Sequence, residues 1–137
     1  MCDCVFCRII QKKSPAHIVK ETKNMIAILD IAPIHEGHVI ILPKLHADSI
    51  HQIPMEVITE VMETAQQLAK TIKKQYNAPG YSIMQNGGAF CEFGHLHFHI
   101  FPRYENDGFG WNEPDGEFEC SERVAQCIRE GLKEVQE

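Results

Sequence analysis

No apolar run in this chain exceeds the length of a β-strand, so the sequence offers no candidate for a membrane-spanning helix. Basic residues are the scarcer charge: 13 Lys and Arg against 19 Asp and Glu leave a net charge of −6. Such a surface lacks the sequence-independent grip on nucleic-acid backbones that basic proteins use. A single nucleotide in a pocket is not excluded, because pocket donors act locally. Internal repeats and low-complexity linkers are absent. The N-terminus, Met-Cys-Asp-Cys, has no basic segment followed by an apolar one, so no signal peptide and a cytoplasmic location are expected. Without an export signal, the six cysteines are expected to remain reduced thiols, which directs attention to metal.

What is present is enough for one globular domain. Hydrophobic residues make up 44% of the 137 positions and charged residues 23%. Candidate strands are Ile18–Glu21, Met25–Leu29 and His38–Leu42, the last ended by Pro43, and together they suggest an antiparallel meander. Met55 to Tyr76 carries Ile58, Val61, Met62, Ala65, Leu68, Ala69 and Ile72 at helical steps, with Asn77-Ala-Pro-Gly80 as its stop. A fourth strand, Tyr81–Gln85, leads into the turn Asn86-Gly87-Gly88. Ser121 to Val135 reads as a final helix, with Cys120 and Cys127 expected on its core-facing side. Strands and helices without βαβ alternation indicate an α+β fold with an antiparallel sheet.

The most specific stretch is His95-Leu-His-Phe-His-Ile-Phe101. Its period of two is that of a strand, so His95, His97 and His99 share one face and Leu96, Phe98 and Ile100 the other. Next-but-one neighbours on a strand lie roughly 6–7 Å apart. Such a row supports two chemistries. A neutral imidazole can attack phosphorus while its neighbours hold the phosphate oxygens. Alternatively, the row can hold a catalytic zinc with an open position. The bland reading is an accidental cluster on an exposed strand. Cys4-Val-Phe-Cys7 has the spacing of two thiolates on one tetrahedral zinc, but it is half a site. Histidines must complete it, with His17, His35, His38, His46, His51 and His95 available. Asp30 ends a strand, where it can cap a turn or accept hydrogen bonds from ribose hydroxyls. The Asn86-Gly87-Gly88 turn can also bring backbone close to a ligand.

Taken together, these stretches resemble the histidine triad (HIT) superfamily. The triad matches its His-φ-His-φ-His-φ-φ signature, where φ is apolar. Cys4-Val-Phe-Cys7-Arg-Ile-Ile opens the chain as in many bacterial members. Ile28-Leu-Asp-Ile-Ala-Pro33, Gly37-His-Val-Ile-Ile-Leu-Pro-Lys44 and His46 look like the family's middle block, and Asn86-Gly87-Gly88 sits at its glycine loop. The resemblance covers about residues 4–103 and implies one HIT domain over 1–137, with a C-terminal loop and helix over 104–137.

It further implies a nucleotidyl hydrolase or phosphoramidase acting at the α-phosphate of purine nucleotides, and a homodimer. By position, His97 would be the nucleophile, and His99 and His38 would contact the phosphate and assist proton movement. Asp30, Ile31, Asn86 and Gly88 would bind the nucleotide together with His99. Bacterial relatives bind a structural zinc through residues that map onto Cys4, Cys7, His46 and His95. Cys91 and Glu92 stand where better-known members carry glutamine and serine or threonine, on the leaving-group side. Two other readings remain: a zinc-dependent hydrolase with the histidine row as catalytic ligands, and a nucleotide-binding module with little turnover.

Overall fold

The central strands are apolar on both faces because both faces of the sheet are covered. A computed structural model describes residues 2–135. In chain order the elements are α1 (Val5–Ile10), β1 (Ile18–Glu21), β2 (Met25–Leu29), β3 (Val39–Pro43), α2 (Met55–Gln75), β4 (Gly80–Met84), β5 (Phe98–Arg103) and α3 (Glu122–Val135). The five strands form one antiparallel sheet in the order β1-β2-β3-β5-β4. The first three make the expected meander. The chain then crosses by α2 to the edge strand β4 and returns as β5 between β4 and β3.

Alternation assigns each strand residue to a face. Met25, Ala27, Val39, Ile41, Leu96, Phe98 and Ile100 pack with Val57, Val61, Ala65, Leu68 and Ile72 of α2. Ile26, Ile28, Ile40 and Leu42 point to the other face and pack with Phe6 of α1. Each of Leu96, Phe98 and Ile100 contributes about 1.5–3 kcal/mol by leaving water. That burial fixes the register of the histidines on the opposite face.

The histidine strand begins later than the sequence predicts. The ladder with β3 runs only from Val39↔Ile100 to Ile41↔Phe98. Two 3₁₀ turns over 88–90 and 92–94 precede it, with Phe93 and Gly94 at positive φ. His95 has extended backbone, but the Leu96 N–H donates to the Ala47 carbonyl at 2.7 Å rather than to a strand. Thus the alternation survives where the ladder does not. The sequence reading also missed α1, a six-residue helix whose N-cap is Cys4; the Cys7 N–H donates to the Cys4 sulfur at 3.2 Å.

Within the described residues the chain divides after Asp107 into two units. The second holds α3, and none of that helix is buried. The expected core-facing cysteines are not found: Cys120 precedes the helix, and both Cys120 and Cys127 are exposed. Among the described residues no helix is long and apolar enough to cross a membrane.

The loop between β2 and β3 is fastened to the end of β5. The enclosed carboxylate of half-buried Asp107 accepts from Arg103 Nε at 2.6 Å, from Arg103 Nη2 at 3.1 Å and from the Tyr104 N–H at 3.1 Å, and it lies 3.2 Å from His35 Nε2. The His38 N–H in turn donates to the His35 carbonyl. Gly37 takes φ +95°, and a Cβ there would meet the Tyr76 ring at 2.6 Å. Gly37→Ala is therefore expected to destabilise the fold by about 1–3 kcal/mol. Thermal unfolding followed by circular dichroism checks this, and an unchanged midpoint would contradict it.

Candidate active site

The three triad histidines point to different partners. Carbonyl oxygens only accept, so the bond from His97 Nδ1 to the His95 carbonyl, at 2.7 Å, puts the proton of His97 on Nδ1 and leaves Nε2 with its lone pair. By the same logic, His95 donates from Nε2 to the Pro43 carbonyl at 2.7 Å and keeps Nδ1 unprotonated. That Nδ1 faces the cysteines. The rings of His97 and His99 lie together, with centroids 4.8 Å apart. The geometry therefore does not support all three histidines as ligands of one catalytic metal: their rings serve two separate sites.

His38 belongs to the second of these. Its Nδ1 accepts the Ile34 N–H at 3.0 Å, so its proton sits on Nε2. This Nε2–H donates to His99 Nδ1 at 2.9 Å, which leaves the His99 proton on Nε2. Asp30 divides its carboxylate. One oxygen accepts the Ala32 N–H at 2.9 Å, the turn role legible in the sequence. The other lies 3.4 Å from His38 Nε2 and 3.7 Å from His99 Nδ1.

His97, His99 and Asp30 line a cavity of about 280 Å³ with Ile31, Glu92 and apolar residues. Ile31, 97% exposed, stands at its rim. Part of the wall was invisible to sequence reading: Val5, Phe6 and Ile9 of α1, and Phe93. Phe6 packs against Phe93 at 5.4 Å and against His97 at 4.9 Å. The available signal was the apolar pair inside Cys4-Val-Phe-Cys7, which the cysteine spacing overshadowed. Asn86 and Gly88 do not line this cavity. Asn86 is exposed, and Gly88, at φ +62°, donates its N–H to the Asp48 carbonyl at 2.8 Å. Cys91 is buried and its thiol is held above its ordinary value, chiefly by burial.

Behind the cavity lies a cluster of sulfur and nitrogen donors, and all six cysteines are free. The donor atoms of Cys2, Cys4, Cys7 and His46 all lie within 4.8 Å of one another, and this group could hold a metal ion. His95 Nδ1 adjoins it, 3.2 Å from His46 Nδ1 and 3.6 Å from the sulfurs of Cys4 and Cys7. The expected set of Cys4, Cys7, His46 and His95 is thus brought together, with Cys2 as an addition. Burial, reinforced by the neighbouring thiols, pushes the Cys7 thiol up to about 12. A thiolate at that depth calls for a cation beside it.

Burial also decides the charge of His99 and His38. His99 is pushed down to about 4 by desolvation and then by His97 and His38, with Asp30 opposing. His38 is lowered by desolvation, partly offset by Asp30. The unfolded chain accepts a proton on these histidines near 6.5, where the folded chain refuses it, so stability should fall as pH drops from about 6.5 towards 4. For His99 the loss is at most about 3 kcal/mol. Denaturant titrations at stepped pH should show this decline, with a shallower slope in His99→Gln; an equal slope would remove His99 as its source.

The chain that carries this imidazole pair and strand-end carboxylate is similar to known proteins in sequence and in fold. The family model described as HIT domain matches residues 11–106. The adenosine 5'-monophosphoramidase HNT1 of Saccharomyces cerevisiae is 40% identical over 121 residues, 85% of this chain and 74% of that protein. A HIT family protein from Bacillus anthracis superposes with a TM-score of 0.84 at 29% identity, covering 97% of this chain and 96% of that one. A Zn-bound histidine triad family protein from Mycobacterium smegmatis gives 0.72 at 30% identity, covering 98% and 96%. With its triad, middle block and fold all in agreement, the chain belongs to the HIT domain family.

Proposed function

We propose that the chain is a purine-nucleotide phosphoramidase that works through a covalent intermediate on His97. The observation that carries this reading is the bond from His97 Nδ1 to the His95 carbonyl, which leaves a lone pair on Nε2 of a ring at the cavity. In the reaction, His97 Nε2 forms a bond to the α-phosphorus as the phosphorus–amine bond breaks. His99, neutral and protonated on Nε2 and held by His38, supplies a hydrogen bond to the phosphate; the leaving amine takes its proton from a water, and the hydroxide so formed takes up the proton released in the hydrolysis that follows. Water then breaks the phosphorus–imidazole bond and releases nucleoside monophosphate. Asp30 would take the ribose hydroxyls, and Ile31 and the α1 side chains would surround the base.

Several observations support this substrate class. The yeast relative is named for the same reaction on adenosine 5'-monophosphoramidate. Glu92 lines the cavity with His97 and His99, and a carboxylate there opposes a polyphosphate leaving group while tolerating an amine. Asn86 and Gly88 fall outside the cavity wall, so the nucleotide-binding part expected of them draws no support from the geometry. Function as a cytoplasmic homodimer is part of the same reading, carried by family membership. His97→Ala is expected to lower release of AMP from adenosine 5'-phosphoramidate by about 10⁴-fold or more. Retained turnover would remove His97 as nucleophile, and tight AMP binding by a wild-type chain without turnover would favour a binding module.

We assign the donor cluster to a structural zinc held by Cys4, Cys7, His46 and His95. The fit is geometric. Zinc bonds of about 2.3 Å to sulfur and about 2.0–2.1 Å to nitrogen, at tetrahedral angles, space S and N about 3.5 Å apart and two nitrogens about 3.3 Å apart. The corresponding S···N separations here are 3.5–3.6 Å and the N···N separation 3.2 Å. The ion would supply cross-linking of α1 to the triad segment. The Pro43 carbonyl on His95 Nε2 is the outer partner that orients such a ligand. Metal analysis of purified variants should find zinc lost in Cys4→Ala and retained in His97→Ala; the reverse pattern would place the ion in the cavity.

A further inference from the structure

We propose that the zinc site has five donors for four positions, with Cys2 and His95 competing for the fourth place beside Cys4, Cys7 and His46. This rests on the ligand assignment above and extends it to a residue outside that set. Cys2 Sγ lies 3.2 Å from His46 Nδ1 and accepts the Cys4 N–H at 3.4 Å. Its sulfur falls within 4.8 Å of the donor atoms of Cys4, Cys7 and His46. Two overlapping quartets therefore exist, and they share three ligands. Tetrahedral zinc accepts either a two-thiolate or a three-thiolate set.

The two candidates differ in what they offer. His95 is fully buried and its ring is pinned by the Pro43 carbonyl, so it arrives oriented. Cys2 is half-buried, on the solvent side of the cluster, and brings a softer, anionic donor. His95 therefore holds the resting set, and Cys2 gains ground with more thiophilic ions. In the exchange, a Cys2 sulfur–metal bond forms as the thiol proton passes to water. The His95 Nδ1–metal bond breaks and leaves the nitrogen its lone pair. No electron is transferred. Because an incoming thiolate assists each departure, the ion can be passed to a thiol acceptor without losing coordination. The same exchange frees the ring of the residue whose carbonyl orients His97.

The test compares wild type, Cys2→Ser, His95→Asn and the double variant after cobalt(II) substitution. Thiolate-to-cobalt charge-transfer intensity counts sulfur ligands. We expect a two-sulfur spectrum in Cys2→Ser, a three-sulfur spectrum in His95→Asn, and loss of stoichiometric binding in the double variant. A second readout avoids substitution of buried His95: iodoacetamide labelling of Cys2, mapped by mass spectrometry, should be slower in the wild type loaded with cadmium, a more thiophilic ion, than in the zinc-loaded or metal-free chain. Zinc transfer to a chromogenic chelator should be slower from Cys2→Ser than from wild type. If the wild type binds one metal but Cys2 labels at the metal-free rate when cadmium is bound, His95→Asn shows no third sulfur and Cys2→Ser leaves the transfer rate unchanged, the exchange is overturned while the zinc site stands. If the wild type binds neither zinc nor cobalt, the ligand assignment falls and the exchange with it.

Discussion

One backbone carbonyl, that of His95, organises the candidate site. It takes the Nδ1 proton of His97 at 2.7 Å in a buried setting and so fixes which nitrogen of that ring is free. The bond depends on His95 and His97 projecting to the same side. That in turn depends on Leu96, Phe98 and Ile100 being held in the core against α2. A slip of one residue would expose three large apolar side chains and turn the imidazoles into the helix layer. Core packing and ring chemistry are therefore one constraint seen from two faces of the same segment.

The rest of the cavity follows from keeping imidazoles neutral. Desolvation dominates at His38 and His99, and Asp30 offsets it only in part. Neutral rings can each donate from one nitrogen and accept at the other, so they chain together. The sequence of bonds from the Ile34 N–H through His38 to His99 is such a chain, with a donor left at its end. Protonating either ring would turn its accepting nitrogen into a donor and break the order. The Asp107 cluster contributes at a distance by holding the loop that carries His38 to β5.

Much of this was legible because it is local. The triad alternation, the α2 stripe and the meander are periodic patterns; the structure returns α2 and the meander with ends moved by at most one residue, and the triad alternation with its strand starting at Phe98. The late start of β5 was not legible, because it depends on Ala47 supplying the Leu96 hydrogen bond from another part of the chain. Nor was α1: six residues give too little periodicity, and the first three of them lie inside the stretch already read as cysteine spacing. The position of Gly88 was set by its bond to the Asp48 carbonyl, again a tertiary effect. Cys2 could not be judged by spacing at all, since its proximity to His46 spans forty-four residues.

A helix as short as α1 has no stability of its own, since two turns barely repay nucleation. Its place depends on what grips each side. Cys4 and Cys7 reach the donor cluster, while Val5, Phe6 and Ile9 face the cavity. The two occupancies are consequently linked through one element. Whatever fills the cavity and whatever fills the donor cluster each stabilise the same helix, so each must tighten the binding of the other by an equal factor.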